Sequence, residues 1–120
     1  MAYVDVMVLP VKKSGKEYYV KMVKAMAKAW KDCGALAYTE MWAEDVKPGK
    51  ATSFPQSLHL AADEEVVVAL LTFRNKAARD KAWGKFMKHP VMGKFDRKDM
   101  PFDMQRTFFG GFLPIVKFQA

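Results

Sequence analysis

The segment Glu64 to Phe73, EEVVVALLTF, most restricts how this 120-residue chain can fold. Every residue from Val66 to Leu71 is apolar, and the run is rich in β-branched valine, which predicts a strand with almost no polar side chain on either face. An exposed apolar sheet face of roughly several hundred Å² marks an interaction site rather than a stable surface. The sequence therefore predicts a sheet that is covered on both sides.

The first half of the chain predicts a strand, a helix and a second strand. Tyr3 to Val11, YVDVMVLPV, is apolar and β-branched enough for a strand. Ser14 and Glu17 form an S-x-x-E capping box, which predicts that a helix starts there and ends at Gly34. Its buried stripe, at helical spacing, comprises Tyr19, Met22, Val23, Met26, Trp30 and Cys33. Ala35 to Val46 alternates as a second strand does.

The second half repeats the pattern. Lys47 to Pro55, KPGKATSFP, indicates a turn or projecting loop before the apolar strand. Asn75 is placed to cap a second helix that runs to about Lys88. Thr107 to Phe118 then makes the last strand. The order βαββαβ predicts an α+β, ferredoxin-like fold, in which one domain (residues 1–120) has a four-stranded antiparallel sheet with two helices on one face.

Two helices cover only one face of such a sheet, so the other face should be polar in a monomer. In the first strand, Val4, Val6 and Val8 point one way, while Tyr3, Asp5, Met7 and Leu9 point the other, which we assign to the side away from the helices. Both faces of this strand are apolar, and so are both faces of the predicted strand Glu64 to Phe73. We expect a homodimer in which the two sheets pair face to face.

Composition limits the other possibilities. One cysteine, Cys33, and two distant histidines, His59 and His89, offer no spacing for a metal site, and no cofactor is expected. The longest nearly uncharged run is far shorter than the roughly 20 residues of a membrane helix. We expect a cytoplasmic protein that does not enter the membrane.

Three segments carry a resemblance to a known family: YVDVMVLPV at Tyr3 to Val11, VKPGKATSFPQSL at Val46 to Leu58, and MPFDMQRTFFGGF at Met100 to Phe112. They resemble the bacterial YbaA-like family of unknown function, nearly end to end. The resemblance implies the dimeric α/β-barrel superfamily, whose subunits pair by their sheets. That superfamily includes cofactor-independent monooxygenases, isomerases, dehydratases and haem-dependent enzymes, so the fold chooses no chemistry. Asp5-Val6 departs from the family's usual Asp-Gly.

The candidate acid–base groups are Asp5 and His59. Asp5, on the open face, would be partly desolvated, which raises a carboxyl pKa towards neutrality. The alternative for Asp5 is an ion pair across the dimer or a place at a wet barrel end. His59 has an ordinary pKa suited to proton transfer, and the alternative is a surface histidine.

The candidate substrate-binding groups are Tyr38, Glu40 and Trp42 on one strand face, together with Asp103 and Arg106. The first three would line a pocket for a small apolar or aromatic ligand, or pack in the dimer with Glu40 at the rim. Arg106 would hold an anionic group, or pair with Asp103 to fasten the entry to the last strand. The leading hypothesis is a homodimer that binds a small organic molecule, as a cofactor-free enzyme or a binding protein.

A basic interaction module is the competing hypothesis. The net charge is +7, and Lys21, Lys24, Lys28 and Lys31 recur on one side of the first helix. Such a stripe suits an anionic partner such as RNA, or is the solvated face of an amphipathic helix. RNA-recognition modules need exposed aromatic residues on the third strand, which EEVVVALLTF lacks. Nucleic acid is therefore the less favoured partner.

Overall fold

The computed structural model describes residues 2–120 of the chain. The strands form one four-stranded antiparallel sheet in the order β2-β3-β1-β4, and the element order confirms the predicted α+β ferredoxin-like fold. One short helix, α2, is added in the projecting loop. The elements are β1 (Tyr3–Lys12), α1 (Lys16–Cys33), β2 (Ala37–Trp42), α2 (Phe54–Ser57), β3 (Glu64–Phe73), α3 (Lys76–Met87) and β4 (Phe108–Phe112).

The two apolar strands, β1 and β3, form the centre of the sheet. They pair along their full length, from Tyr3 opposite Phe73 to Lys12 opposite Glu64. The other side of β1 pairs with β4 only as far as Val8. β1 and β3 carry the longest apolar runs in the chain, and most of their buried residues lie on one side of the sheet.

The helix ends agree with the sequence in two places and disagree in one. Gly34 ends α1 in the left-handed region, with φ of 106°, and Asn75 caps α3 by accepting a 2.8 Å hydrogen bond from the Ala78 backbone N–H. The predicted capping box is wrong. Ser14 lies inside a 3-10 turn (Lys13–Gly15), and α1 begins only at Lys16 without a side-chain cap. A capping residue needs extended backbone, which the tight turn does not allow.

Two strands are shorter than predicted. β2 covers residues 37–42 rather than 35–46, because the Ala35 N–H bonds the Trp30 carbonyl and still belongs to the end of α1. β4 ends at Phe112 rather than Phe118. Pro114 follows closely and has no N–H to donate to a sheet.

The main core lies between the sheet and the helices. Trp30 of α1 stacks on Phe86 of α3 with ring centroids 4.0 Å apart, and both belong to a cluster with Phe73 of β3. A second cluster joins Leu9 and Val67 of the sheet to α1. The side of β1 that contains Leu9 therefore faces the helices, and Tyr3, Asp5 and Met7 lie on the same side. The sequence-based assignment of these residues to the opposite face is wrong. Because both faces of β1 are apolar, alternation alone cannot tell which face the helices cover.

The opposite face of the sheet is only partly covered. The segment that includes α2 buries Val8 and Val66 beneath Leu58 at one end of the sheet. Beyond that end, the uncovered face is mainly apolar, with side chains that are partly or largely exposed, and Thr39 and Thr72 also lie on it. We call this surface the open face; its apolar residues are Val4, Val6, Met41, Val68, Leu70, Phe108 and Phe112.

Candidate functional site

Tyr38, Glu40 and Trp42 share one face of β2, as predicted, and that face lies against the helices. The carboxylate of Glu40 accepts a 2.6 Å hydrogen bond from the Tyr19 hydroxyl of α1. Its second oxygen accepts a short hydrogen bond from the Tyr38 hydroxyl. We call Tyr19, Tyr38 and Glu40 the acid–tyrosine cluster.

Burial governs the electrostatics of the acid–tyrosine cluster. It raises the pKa of Glu40 above its ordinary value, although the two tyrosine hydrogen bonds act in the opposite direction. Burial, with the nearby Glu40 charge, also raises the pKa of both tyrosines, so their hydroxyls remain protonated donors. The arrangement thus combines a carboxyl that takes up a proton more readily than an exposed glutamate with two fixed hydrogen-bond donors.

An aromatic and a cationic group border this cluster along β2. Trp42 is partly buried and packs against the core cluster that contains Tyr19. The Lys16 ammonium lies 4.6 Å from the centroid of the Trp42 ring, which is cation–π geometry. Because β2 is an edge strand, this group of side chains lies at the border between the core and solvent.

Asp5 lies under α3 in a second polar cluster. Its side chain is 6% exposed and accepts three hydrogen bonds from Arg79 and one, of 2.7 Å, from the Trp83 indole N–H. The Arg79 guanidinium also lies 5.2 Å from the centroid of the Tyr3 ring. The structure pairs Asp5 within its own chain and away from the open face. Its catalytic role stays a prediction.

Arg106 is the centre of a third polar cluster and confirms the expected pairing with Asp103, at 2.8 Å. The same guanidinium forms a two-pronged ion pair with Glu64, at 2.7 and 2.5 Å, and bonds the carbonyls of Leu58 and His59. Arg106 lowers the pKa of Glu64 and of Asp103. These contacts join the entry to β4 to the start of β3, as a fastening role requires. The substrate-binding role of Asp103 and Arg106 stays a prediction.

His59 takes part in the Arg106 cluster through its backbone carbonyl rather than its imidazole. The residue is exposed, follows α2, and has a positive φ of 49°, which is uncommon outside glycine. Its predicted catalytic role is likewise untested. The structure thus distributes the predicted site residues over three clusters instead of one pocket.

Four residues of these clusters were not anticipated as polar partners: Tyr19, Glu64, Arg79 and Trp83. Tyr19 carried a usable signal, since a tyrosine in a buried helical stripe needs a hydrogen-bond acceptor. Glu64 carried none, because a glutamate pair at a strand start is normally exposed. Arg79 meets Asp5 only through the packing of α3 on β1, which the sequence does not specify.

The lysine stripe contributes to a cleft between α1 and the segment 89–94. Lys24 and Lys28 line a cleft of ≈ 390 Å³ together with Lys94 and His89. His89 is 3.3 Å from Asp32, which also lines the cleft. Within residues 2–120 we find no group of three histidine, cysteine or acidic side chains that could hold a metal ion. Nor does any helix in that range have the length and hydropathy to span a membrane.

Comparison with known proteins places the chain in a family. Residues 2–104 match the model of a protein of unknown function, DUF1428. The chain belongs to the DUF1428 family. A related protein, the uncharacterized protein YbaA of Escherichia coli (strain K12), is 39% identical over 116 residues, which is 97% of this chain and 98% of YbaA. The resemblance stated from the three sequence segments is thereby confirmed.

Solved structures show where the DUF1428 chain belongs by fold. A dimeric ferredoxin-like protein from an uncultured marine organism superposes with a TM-score of 0.63 at 11% identity, over 98% of each chain. SnoaB, a cofactor-independent oxygenase from Streptomyces nogalater, superposes with a TM-score of 0.62 at 13% identity, over 99% of this chain and 98% of SnoaB. At these identities the likeness concerns the fold alone.

Proposed function

We propose that this DUF1428 protein is a homodimer that binds a small organic molecule at the acid–tyrosine cluster and exchanges a proton with it through Glu40. The observation that carries the proposal is the partly buried Glu40 carboxyl, held by two phenol hydroxyls between the sheet and α1. A carboxyl with a raised pKa is suited to general acid–base work nearer neutral pH.

The open face supports the dimer. Its exposed members include Phe108 and Phe112 of β4 and Met41 of β2, at opposite edges of the sheet. An apolar surface that reaches across the whole sheet is stabilised by removal from water, at about 25 cal/mol per Å². A twofold pair uses the same patch on both subunits. The dimeric ferredoxin-like neighbour has this fold as well.

The cluster favours a ligand with a flat apolar body and one hydroxyl or carbonyl group. Tyr19 and Tyr38 donate their hydroxyl protons to Glu40 and can still accept a hydrogen bond, Glu40 offers an acceptor or a proton, and Trp42 offers a ring face. The fold neighbour SnoaB is a cofactor-independent oxygenase. In this chain, Glu40 is the group that would accept a proton from such a ligand.

A titration with 2-naphthol, which has the flat body and hydroxyl described above, tests the binding step. We expect the amide NMR signals of Tyr19, Tyr38 and Glu40 to shift in a saturable way, and the shifts to disappear in Glu40→Gln. Glu44→Gln is the matched control, because Glu44 is exposed just beyond β2. Shifts that persist in Glu40→Gln, or that map elsewhere, would contradict the site.

Proton exchange tests the chemistry separately. 2-Tetralone exchanges its α-protons with D₂O slowly, and ¹H NMR follows that rate directly. We expect the wild type to accelerate the exchange, Glu40→Gln to return it to the buffer rate, and Glu44→Gln to leave it accelerated. Equal rates with wild type and Glu40→Gln would remove the acid–base role while leaving the binding result intact.

The basic cleft favours a second candidate function, the binding of an anionic partner. Lys24, Lys28 and Lys94 line one concave surface, so three ammonium groups can act on the same anion. Binding of a single-stranded RNA oligonucleotide at two salt concentrations tests this, since phosphate neutralisation loses affinity steeply with salt. Lys24→Ala/Lys28→Ala should reduce both the affinity and its salt dependence. Lys47→Ala, in the projecting loop, is the control.

A further inference from the structure

Residues 113–120, which we call the 113–120 arm, expose apolar side chains far more fully than any other part of the described chain. Ile115 is 98% exposed, Val116 84% and Phe118 90%, and Leu113 is also exposed. Scattered exposed apolar residues are normal on a protein surface, but a continuous exposed group of this kind marks an interaction site. The arm needs cover that its own protomer does not supply.

The arm begins where the open face ends. It continues directly from β4, whose last residue, Phe112, belongs to the open face. Pro114 lacks the N–H that would extend the β4 ladder along β1, so the chain leaves the sheet at this point. An apolar segment that starts at the border of a dimer surface and leaves its own sheet is positioned to reach a second subunit.

We propose that the 113–120 arm packs on a second copy of this chain, across the edge of the paired sheets. The inference rests on the homodimer proposed above and adds a specific contact to it. Eight extended residues span about 26 Å at roughly 3.3 Å each, which is enough to cross onto a neighbouring subunit. Twofold symmetry would give two such contacts, because each arm meets the other subunit in the same way.

The inner side of the arm offers a matching surface. Between the start of β1 and the arm lies a groove of ≈ 250 Å³, lined by Ala2 and by Pro114 to Lys117. In a symmetric pair, the groove on one subunit is available to an apolar side chain from the other. The arm of each subunit then inserts an apolar side chain into the partner's groove, and it also lines the groove that receives a side chain from the partner. These contacts join the two copies at the β4 edge as well as through the open face.

Photo-crosslinking tests where the arm lies. The variant protein Phe118→p-benzoylphenylalanine is prepared once with ¹⁴N and once with ¹⁵N. The two preparations are mixed so that their subunits exchange, and mass spectrometry identifies the crosslinked peptides. We expect mixed-isotope crosslinks between the arm of one subunit and the other subunit. If sedimentation shows a dimer but the crosslinks stay within one chain, the arm inference is wrong and the homodimer stands. If the wild type is a monomer, both proposals fail.

A substitution series provides the second measurement. We expect Ile115→Ser/Val116→Ser/Phe118→Ser to raise the dimer dissociation constant at least tenfold. The control is Met87→Ser, at an exposed methionine on α3 that is 59% exposed and lies on the helix side of the sheet. The three changes lie outside every helix and strand, so circular dichroism should show an intact fold. An unchanged dissociation constant in the triple variant would overturn the inference.

Discussion

Arg79 of α3 donates three hydrogen bonds to the Asp5 carboxylate at the sheet centre, with N···O distances of 2.9 to 3.1 Å. Trp83, one turn further along α3, donates a fourth. One buried acid in β1 therefore fixes both the position and the rotation of the helix above it. A polar anchor of this kind stabilises mainly through the cost of leaving the carboxylate unpaired.

Arg79→Ala should therefore lower the free energy of unfolding by about 3 kcal/mol, because Asp5 would remain buried without its charged partner. Urea denaturation followed by circular dichroism measures the change. Lys81→Ala is the matched control, since Lys81 is exposed on the same helix and the hydrogen bonds to Asp5 come from Arg79 and Trp83. Equal stability of Arg79→Ala and wild type would show that the pair is not an anchor.

Arg106→Ala should be destabilising as well, again by about 3 kcal/mol, because it leaves the buried Glu64 without its two-pronged partner. The pKa of Glu64 is lowered, so the stability it contributes is present at neutral pH and is lost as pH falls through that lowered pKa. The difference in free energy of unfolding between variant and wild type should therefore become smaller below about pH 4. A gap that is constant from pH 7 to pH 3 would contradict this account.

Glu40 should give the opposite pH dependence. Its pKa is raised, so the folded state binds a proton more tightly than the unfolded state does. Relative to Glu40→Gln, the wild type should gain stability as pH falls from neutral towards the ordinary glutamate pKa, and lose it as pH rises through the raised value. Denaturant midpoints of the two proteins between pH 4.5 and 8, roughly, provide the test. A stability difference between the two proteins that does not vary with pH would contradict the raised pKa of Glu40, and the proposed proton exchange would lose its support.

Gly111 is required by the ring of Tyr3. A Cβ at Gly111 would overlap the Tyr3 hydroxyl and ring carbons, so Gly111→Ala should cost about 1 to 3 kcal/mol of stability. Adding Tyr3→Ala should remove most of the penalty of the Gly111 change. Gly84→Ala is the control, because nothing lies near that position in α3 and the change should stabilise by about 0.5 to 1 kcal/mol. Additive effects of the Gly111 and Tyr3 changes in urea denaturation would contradict this contact.

Val68→Glu should convert the proposed dimer into a monomer. Val68 lies on the open face opposite Met41 of β2, and two copies of a glutamate would be buried without partners in a paired sheet. Sedimentation at micromolar concentration measures the result. Met87→Glu, on the helix side, should leave the assembly unchanged. A Val68→Glu protein that sediments like the wild type would indicate that the sheets do not pair through this face.

The fold was predictable because its signals are local and repeated. The helical stripe of α1, the stop at Gly34 and the cap at Asn75 are read from neighbouring residues, and the structure confirms them. The N-terminal end of α1 was not predictable in the same way. Ser14 and Glu17 have the right spacing for a capping box, but the exit from β1 imposes a tight turn that takes Ser14 out of the capping position.

The polar clusters were less accessible, because each depends on which face of the sheet meets the helices. The sequence correctly put Tyr38, Glu40 and Trp42 on one face and paired Arg106 with Asp103. It placed Asp5 on the wrong side, since an apolar residue at every neighbouring position of β1 removes the polarity difference between the faces. Partners such as Arg79 for Asp5 are set by tertiary packing.

The pairing of β1 with β3 also determines when this chain can fold. Tyr3 must meet Phe73, so the first strand of the chain has no neighbour in the sheet until more than half of the sequence is available. Contacts between residues so far apart in the sequence slow folding, because the entropy of loop closure is lost before the contacts form. During synthesis, α1 can form early, while the apolar strand β1 stays exposed beside it. The period before β3 emerges is therefore when the nascent chain is most prone to aggregate.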